Sequence, residues 1–104
     1  MENKITFSVS SEEDLNNIAQ YIYLNTKNLD FAINYLNKMR AFIKERLERF
    51  PQSGFYPNSR ALRGLGYRYL VYENYLIFYV IKEDEIRIMA IINAKQDYFR
   101  FDQF

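Results

Sequence analysis

The feature that most constrains this chain is a series of three apolar runs separated by two short polar turns. The runs cover residues 66–72, 75–81 and 86–92, and each is rich in β-branched and aromatic side chains. Such runs between polar turns predict β-strands. Because turns this short join only antiparallel neighbours, the three strands form an antiparallel meander. The middle run is apolar on both faces, which predicts a central strand covered on each side.

The residues before the meander provide a cover for it. Residues 4–9 alternate apolar and polar side chains, which is the pattern of a half-buried strand. Two stripes of apolar residues with helical spacing follow. The first stripe is Leu15, Ile18, Ala19 and Ile22, and the second is Ala32, Tyr35, Leu36, Met39, Phe42, Ile43, Leu47 and Phe50. We interpret both stripes as core, packed against the sheet.

The ends of the two helices have their own sequence signals. Ser10 and Ser11, each followed three residues later by an acid, predict a capping box and a first helix over residues 11–25. The second helix ends at Phe50, because the residue before a proline is disfavoured in the helical region. Residues 51–65 contain both prolines and two of the three glycines, so we predict an ordered loop there.

The element order β-α-α-β-β-β predicts an α+β fold, in which a helical hairpin packs on one face of an antiparallel sheet. At 104 residues the chain is predicted to be a single domain, spanning 1–104. The other face of the central strand is then either solvated or occupied by a partner. We favour a partner, because large exposed apolar patches are uncommon on monomers.

Composition excludes several classes of chemistry. The chain has no cysteine and no histidine, which rules out thiol nucleophiles, histidine-based triads and the usual zinc sites. The three glycines do not form a phosphate-binding loop, and we expect no cofactor and no metal. A formal charge of +1 is too small for a general polyanion binder. No apolar run reaches membrane-spanning length, so we expect a cytoplasmic protein with no membrane contact.

Five local motifs occur in a characteristic order along nearly the whole chain. They are Asp14-Leu15 to Tyr21-Ile22, Ala32 to Phe50-Pro51-Gln52-Ser53-Gly54, Gly66-Tyr67-Arg68, Asn74-Tyr75-Leu76-Ile77-Phe78-Tyr79, and Ile91-Ile92-Asn93-Ala94-Lys95-Gln96-Asp97-Tyr98. Together they resemble the RelE/ParE superfamily of bacterial type II toxins. The resemblance implies a growth-inhibiting toxin with a role in plasmid stabilisation, neutralised by a small cognate antitoxin. It also implies one of two targets, DNA gyrase or mRNA on the ribosome.

Two departures from the superfamily pattern bear on the target. The branch that cleaves mRNA on the ribosome places an arginine in the central strand, where this chain has Leu76. Many members carry His-Gly-Arg-Arg-Asp near the end of the last strand, where this chain has residues 93–97, Asn-Ala-Lys-Gln-Asp. The helical hairpin looks more like the ParE branch. We therefore favour a binding inhibitor of gyrase, with a ribosome-dependent endoribonuclease as the alternative, and leave open whether the protein is an enzyme.

The resemblance also selects candidate residues. Arg68, Lys95 and Tyr98 are the catalytic candidates, as a phosphate clamp, a stabiliser of the charged phosphorane and a proton donor or stacking group. The alternatives are a salt bridge for Arg68, a solvated lysine for Lys95 and core packing for Tyr98. Arg60 and Arg63 are candidates for partner or phosphate contact, or plain solubilising charges. Residues 59–72 carry these three arginines and no acid, and we expect Lys95 to lie at the same basic end.

Overall fold

A computed structural model of the chain describes residues 4–95. The strands are β1 (Lys4–Phe7), β2 (Arg68–Tyr72), β3 (Tyr75–Lys82) and β4 (Glu85–Asn93), and the helices are α1 (Val9–Thr26), α2 (Leu29–Arg49) and α3 (Arg60–Gly64). The strands form one sheet in the order β1-β4-β3-β2. The predicted α+β architecture is confirmed. Across the described residues, no helix combines the length and the apolarity needed to cross a membrane.

The meander takes its predicted place, with β3 between β2 and β4 and antiparallel to both. The first six residues of β3, Tyr75–Val80, are all buried, as its two apolar faces predicted. The new feature is the position of β1, which pairs with β4 in the parallel direction. A parallel return needs a long crossover. The helical hairpin and the meander between β1 and β4 supply that length.

A bulge in β4 decides which of its side chains face the helices. Phe78 pairs with Ala90 but Tyr79 pairs with Ile88, so Met89 is an extra residue in β4. Because an extra residue reverses the alternation of a strand, the helix-facing side changes from Ile88 to Ile91 across the bulge. The isoleucine-rich strand thus keeps large side chains in the core on both sides of the bulge.

Helix α1 closes the edge of β4 beyond the short strand β1. Ser8 donates its backbone N–H to the carbonyl of Ile88 (2.9 Å) and its hydroxyl to the carbonyl of Met89 (3.1 Å). The Asp14 carboxylate accepts the backbone N–H of Ile91 at 2.9 Å. Polar side chains of α1 therefore satisfy backbone groups that no fifth strand pairs, which removes a site for unwanted strand addition.

The N-terminus of α1 differs from the predicted capping box. The helix begins at Val9, and its N-cap is Ser8. The Ser8 hydroxyl accepts the backbone N–H of Ser11 at 3.0 Å. Ser8 is favoured over Ser10 because its position at the end of β1 lets the same hydroxyl also bind β4.

The main core lies between the helices and one face of the sheet. The buried helical residues are Leu15, Ile18, Ile22, Ala32, Met39, Ile43 and Leu47, and they pack on Leu70, Tyr75, Ile77, Tyr79, Ile86, Ile88 and Ile91. The other face of β3 is also buried within the chain, where Leu76 and Phe78 cluster with Ile92. The burial of this second face removes the reason for assigning it to a partner.

Two predictions about the second helix and the loop after it were wrong in detail. Phe50 is 60% exposed, because α2 ends at Arg49 and the backbone leaves the helix at Phe50. Phe42, Tyr35 and Leu36 are only partly buried, but they pack against the core as predicted. The predicted loop contains the short helix α3, whose N-cap Ser59 accepts the backbone N–H of Leu62 at 3.2 Å.

One ion pair joins the two long helices. Arg40 Nη1 and Nη2 donate to the two carboxylate oxygens of Glu12, at 3.0 and 2.8 Å, and the guanidinium lies 4.8 Å from the centre of the Phe7 ring. The hydrogen bond from Arg40 holds the pKa of Glu12 below its usual value. Both side chains are partly exposed, so the pair contributes at most about 1 kcal/mol.

Candidate functional site

Arg68 and Lys95 lie towards opposite ends of the region in which β3 pairs with β2. Arg68 of β2 pairs with Tyr79 of β3. At the start of β3, Tyr75 pairs with Asn93 of β4, and Lys95 comes two residues after Asn93. Tyr75 and Tyr79 are roughly 13 Å apart along an extended strand, and β2 and β4 lie on opposite sides of β3. The expectation that Arg68 and Lys95 share one basic end is therefore wrong. Tyr98 lies outside the described residues.

Arg68 binds the loop that follows α2. Its Nη1 donates to the carbonyls of Gln52 (3.0 Å) and Gly54 (3.3 Å), and its Nη2 donates to the Tyr56 hydroxyl at 2.7 Å. The guanidinium also lies 4.3 Å from the centre of the Tyr56 ring. Within residues 4–95, the partners of the guanidinium are carbonyls and the Tyr56 side chain, and none is the acid of the predicted salt bridge. Charge-assisted hydrogen bonds of this kind hold the loop in place.

Tyr79 fastens the same loop from inside the protein. Its hydroxyl accepts the backbone N–H of Gly54 at 2.9 Å and donates to the carbonyl of Pro51 at 2.8 Å. A Cβ at position 54 would lie 2.5 Å from the Tyr79 hydroxyl oxygen, so only glycine fits there. Burial raises the pKa of Tyr79 and keeps its phenol neutral. We call Tyr79, Arg68 and residues 51–56 the loop end.

Arg60 and Arg63 project from helix α3 beside the loop end. Both are exposed, and a spacing of three residues places them on one face of a helix. Three large apolar side chains of the surrounding segment are also exposed, namely Phe55 (60%), Tyr56 (61%) and Leu65 (70%). The arginine segment, which we define as residues 49–72, contains four arginines and no acid. The role of Arg60 and Arg63 in contacting a partner or a phosphate stays a prediction.

A cleft of about 460 Å³ lies at the other end of β3. It is lined by the end of α1, the start of α2, the turn between β2 and β3, and the end of β4. The described lining residues are Tyr21, Ile22, Asn25, Thr26, Phe31, Tyr35, Asn74, Tyr75, Asn93 and Lys95. We call this the tip cleft, because it lies beside the tip of the helical hairpin.

Two tyrosines of the tip cleft, Tyr35 and Tyr75, have a raised pKa and are held neutral. The pKa of Tyr35 is well above its usual value. Burial is the main cause, and a hydrogen bond to Glu73 adds to the effect. Burial also raises the pKa of Tyr75, although a hydrogen bond with Asn93 opposes the shift. The neutral phenols of Tyr35 and Tyr75 can each donate and accept hydrogen bonds.

Lys95 is the one charged side chain among the described residues that line the tip cleft, and it is exposed. The turn after β4 positions it, since the Lys95 backbone N–H donates to Asn93 Oδ1 at 2.9 Å. The lysine therefore supplies a positive charge at the rim of an aromatic cleft. In the described part of the chain, no three His, Cys, Asp or Glu side chains group as possible metal ligands.

Sequence reasoning missed most of the tip cleft, because its residues come from separate elements. Tyr21 and Phe31 do not belong to the two apolar stripes, and they are 47% and 52% exposed. An aromatic residue off the buried stripe of an amphipathic helix is the signal that could have found them. Asn74 carried no signal, because an asparagine in a short turn is expected for conformational reasons alone.

Comparison with known proteins agrees with this architecture. A chain of the "Chromosomal ParDE TA system from P. aeruginosa" superposes with a TM-score of 0.70 at 18% identity, covering 88% of this chain and 96% of that one. That likeness concerns the fold. Among curated proteins, none matches the sequence significantly. The family model described as "ParE toxin of type II toxin-antitoxin system, parDE" matches residues 5–98. The chain therefore belongs to the family of ParE toxins of type II toxin–antitoxin systems.

Proposed function

We propose that this ParE-type toxin inhibits growth by binding DNA gyrase, and that it breaks no covalent bond in doing so. The observation that carries the proposal is the separation of Arg68 and Lys95, the two cations among the three catalytic candidates, along and across the sheet. Cleavage of RNA by electrostatic stabilisation needs cations that converge on one phosphate. Arg68 and Lys95 are separated by roughly 13 Å along the sheet and lie on opposite sides of β3, so they do not converge.

The surroundings of Arg68 support the same proposal. Three donor contacts of its guanidinium go to Gln52, Gly54 and Tyr56 of the chain itself. A bidentate phosphate clamp would have to replace some of these contacts. The position that carries an arginine in the mRNA-cleaving branch is Leu76, which is buried on the second face of the sheet.

Membership of a type II system also implies a cognate antitoxin. We place its charged contact on the arginine segment, where Arg60 and Arg63 are exposed beside large apolar side chains. An acidic antitoxin segment with apolar side chains complements such a surface. Loss of binding in Arg60→Glu/Arg63→Glu, and no loss in the exposed control Lys44→Glu, is the expected result in a titration with the antitoxin.

The experiment that tests the proposed target measures two activities of the purified chain. We expect it to inhibit DNA supercoiling by gyrase, and to leave mRNA ends on translating ribosomes unchanged. Ribosome-dependent cuts that disappear in Lys95→Ala would instead establish the endoribonuclease. Arg68, Lys95 and Tyr98 would then again be the candidate catalytic residues.

A further inference from the structure

We propose that the tip cleft is the pocket with which the toxin holds gyrase, and that it takes an apolar side chain of gyrase with a carboxylate beside it. The inference rests on the proposed gyrase target and adds the site and the chemistry of contact. It is carried by the shape, the aromatic lining and the charge of the cleft.

The shape of the tip cleft suits one anchoring side chain. A volume of about 460 Å³ accommodates a single large side chain with its flanking backbone. Tyr21 and Phe31 stand half exposed at the rim, while Tyr75 is buried at the base. Interfaces draw most of their binding energy from such anchors in aromatic pockets, surrounded by residues that exclude water.

The charge of the tip cleft defines the second part of the ligand. Lys95 is the one charged side chain among the described lining residues. Glu73, in the turn nearby, accepts a hydrogen bond from Tyr35 and does not line the cleft. A carboxylate next to the anchor therefore meets a positive charge, and none of the described lining residues is an acid. Asn74 adds an amide that can donate to the same carboxylate.

The antitoxin is a poorer match for the tip cleft than the target is. Obligate interfaces are large and apolar, commonly above about 2,000 Å² in total. The arginine segment offers four arginines, no acid and several exposed apolar side chains, which suits an acidic obligate partner. An antitoxin bound at the arginine segment can block a target as large as gyrase by its bulk, without filling the tip cleft. Neutralisation then needs no shared pocket.

The test is inhibition of supercoiling by the gyrase holoenzyme with three variants of the full chain. Lys95→Glu reverses the charge of the tip cleft, Phe31→Ala removes an exposed aromatic at its rim, and Lys38→Glu makes the same charge change at an exposed site on α2 outside the lining. We expect the first two to raise the half-inhibitory concentration by about tenfold or more. Lys38→Glu should leave it unchanged, and thermal unfolding should show all three folded.

Three outcomes would overturn the inference. In the first, the wild type inhibits gyrase and both cleft variants inhibit equally well, so the target binds elsewhere. In the second, Lys95→Glu keeps its inhibition but loses binding to the protein encoded by the adjacent reading frame, so the occupant is the antitoxin. In the third, the wild type does not inhibit gyrase, and the proposed function fails together with this site.

Discussion

The loop end and the tip cleft differ in what their side chains contact. At the loop end, the Tyr79 hydroxyl and the Arg68 guanidinium are hydrogen-bonded to backbone carbonyls and to the N–H of Gly54. At the tip cleft, Tyr21 and Phe31 are half exposed and Lys95 faces solvent. The Tyr79 hydroxyl and the Arg68 guanidinium are occupied by contacts within the chain, whereas Tyr21, Phe31 and Lys95 are exposed.

Arg68 and Lys95 both match basic positions of the superfamily, but their surroundings indicate different roles. Arg68 matches the arginine that opens the meander in the superfamily, but its structural contacts are those of a group that holds a loop. Lys95 belongs to a motif that departs from the superfamily pattern, yet it lies at the rim of a cleft. Hydrogen-bonding groups already used within the chain stabilise the fold, whereas unused groups beside a cleft remain available for binding.

The largest expected effect is at Gly54. Gly54→Val should lower the free energy of unfolding by about 3 kcal/mol, through overpacking against Tyr79 and loss of its hydrogen bonds. Gly64→Ala is the matched control, because no atom lies within 4 Å of its added Cβ. Denaturant unfolding measures both variants. Equal stability of Gly54→Val and the wild type would show that the loop end is not closed by this contact.

A smaller effect is expected from removal of one hydroxyl. Tyr79→Phe deletes the group that bridges Gly54 and Pro51 and leaves their backbone groups unpaired, so unfolding should become easier by roughly 1–3 kcal/mol. Tyr21→Phe makes the same change at the tip cleft, where the ring is half exposed. It should change stability by less than about 0.5 kcal/mol. Chemical denaturation measures both variants. Similar losses of unfolding free energy would contradict the difference between the loop end and the tip cleft.

The smallest effect is expected at the Glu12–Arg40 pair, which belongs to neither end. The pKa of Glu12 is lowered in the folded state, so its contribution is present above the usual value of 4.5 and is lost as pH falls through the folded pKa. The stability difference between wild type and Glu12→Gln should be below about 1 kcal/mol at pH 7 and vanish in acid. Melting curves from pH 7 to pH 3 test this. A difference that grows as pH falls would contradict it.

Much of the fold follows from local patterns in the sequence. The run 75–81 is apolar at every position but has no helical spacing, so a central strand was the consistent choice. The apolar stripes of α1 and α2 follow from helical geometry. The parallel pairing of β1 with β4 and the bulge at Met89 depend on contacts between distant residues, which no local pattern records.

The candidate site was harder to predict for a related reason. A basic residue has the same local signature whether it binds a loop carbonyl or a ligand, so Arg68 and Lys95 looked alike in the sequence. What separates them is the position of Gln52 and Gly54, sixteen and fourteen residues before Arg68, and the assembly of the tip cleft from four elements. Phe50 looked like core because its spacing continued the stripe past the last helical residue.

The most direct test of the difference between the two ends is a double-mutant cycle of Arg68→Ala and Lys95→Ala. Each variant is measured for the free energy of unfolding and for the half-inhibitory concentration against gyrase.

We expect Arg68→Ala to lose roughly 2 kcal/mol of stability and to inhibit normally once corrected for its folded fraction. We expect Lys95→Ala to keep its stability within about 0.5 kcal/mol and to inhibit about tenfold less well, with additive effects in the double variant. A coupling of more than about 1 kcal/mol between the two substitutions in inhibition would contradict the account, because it would place both residues in one site.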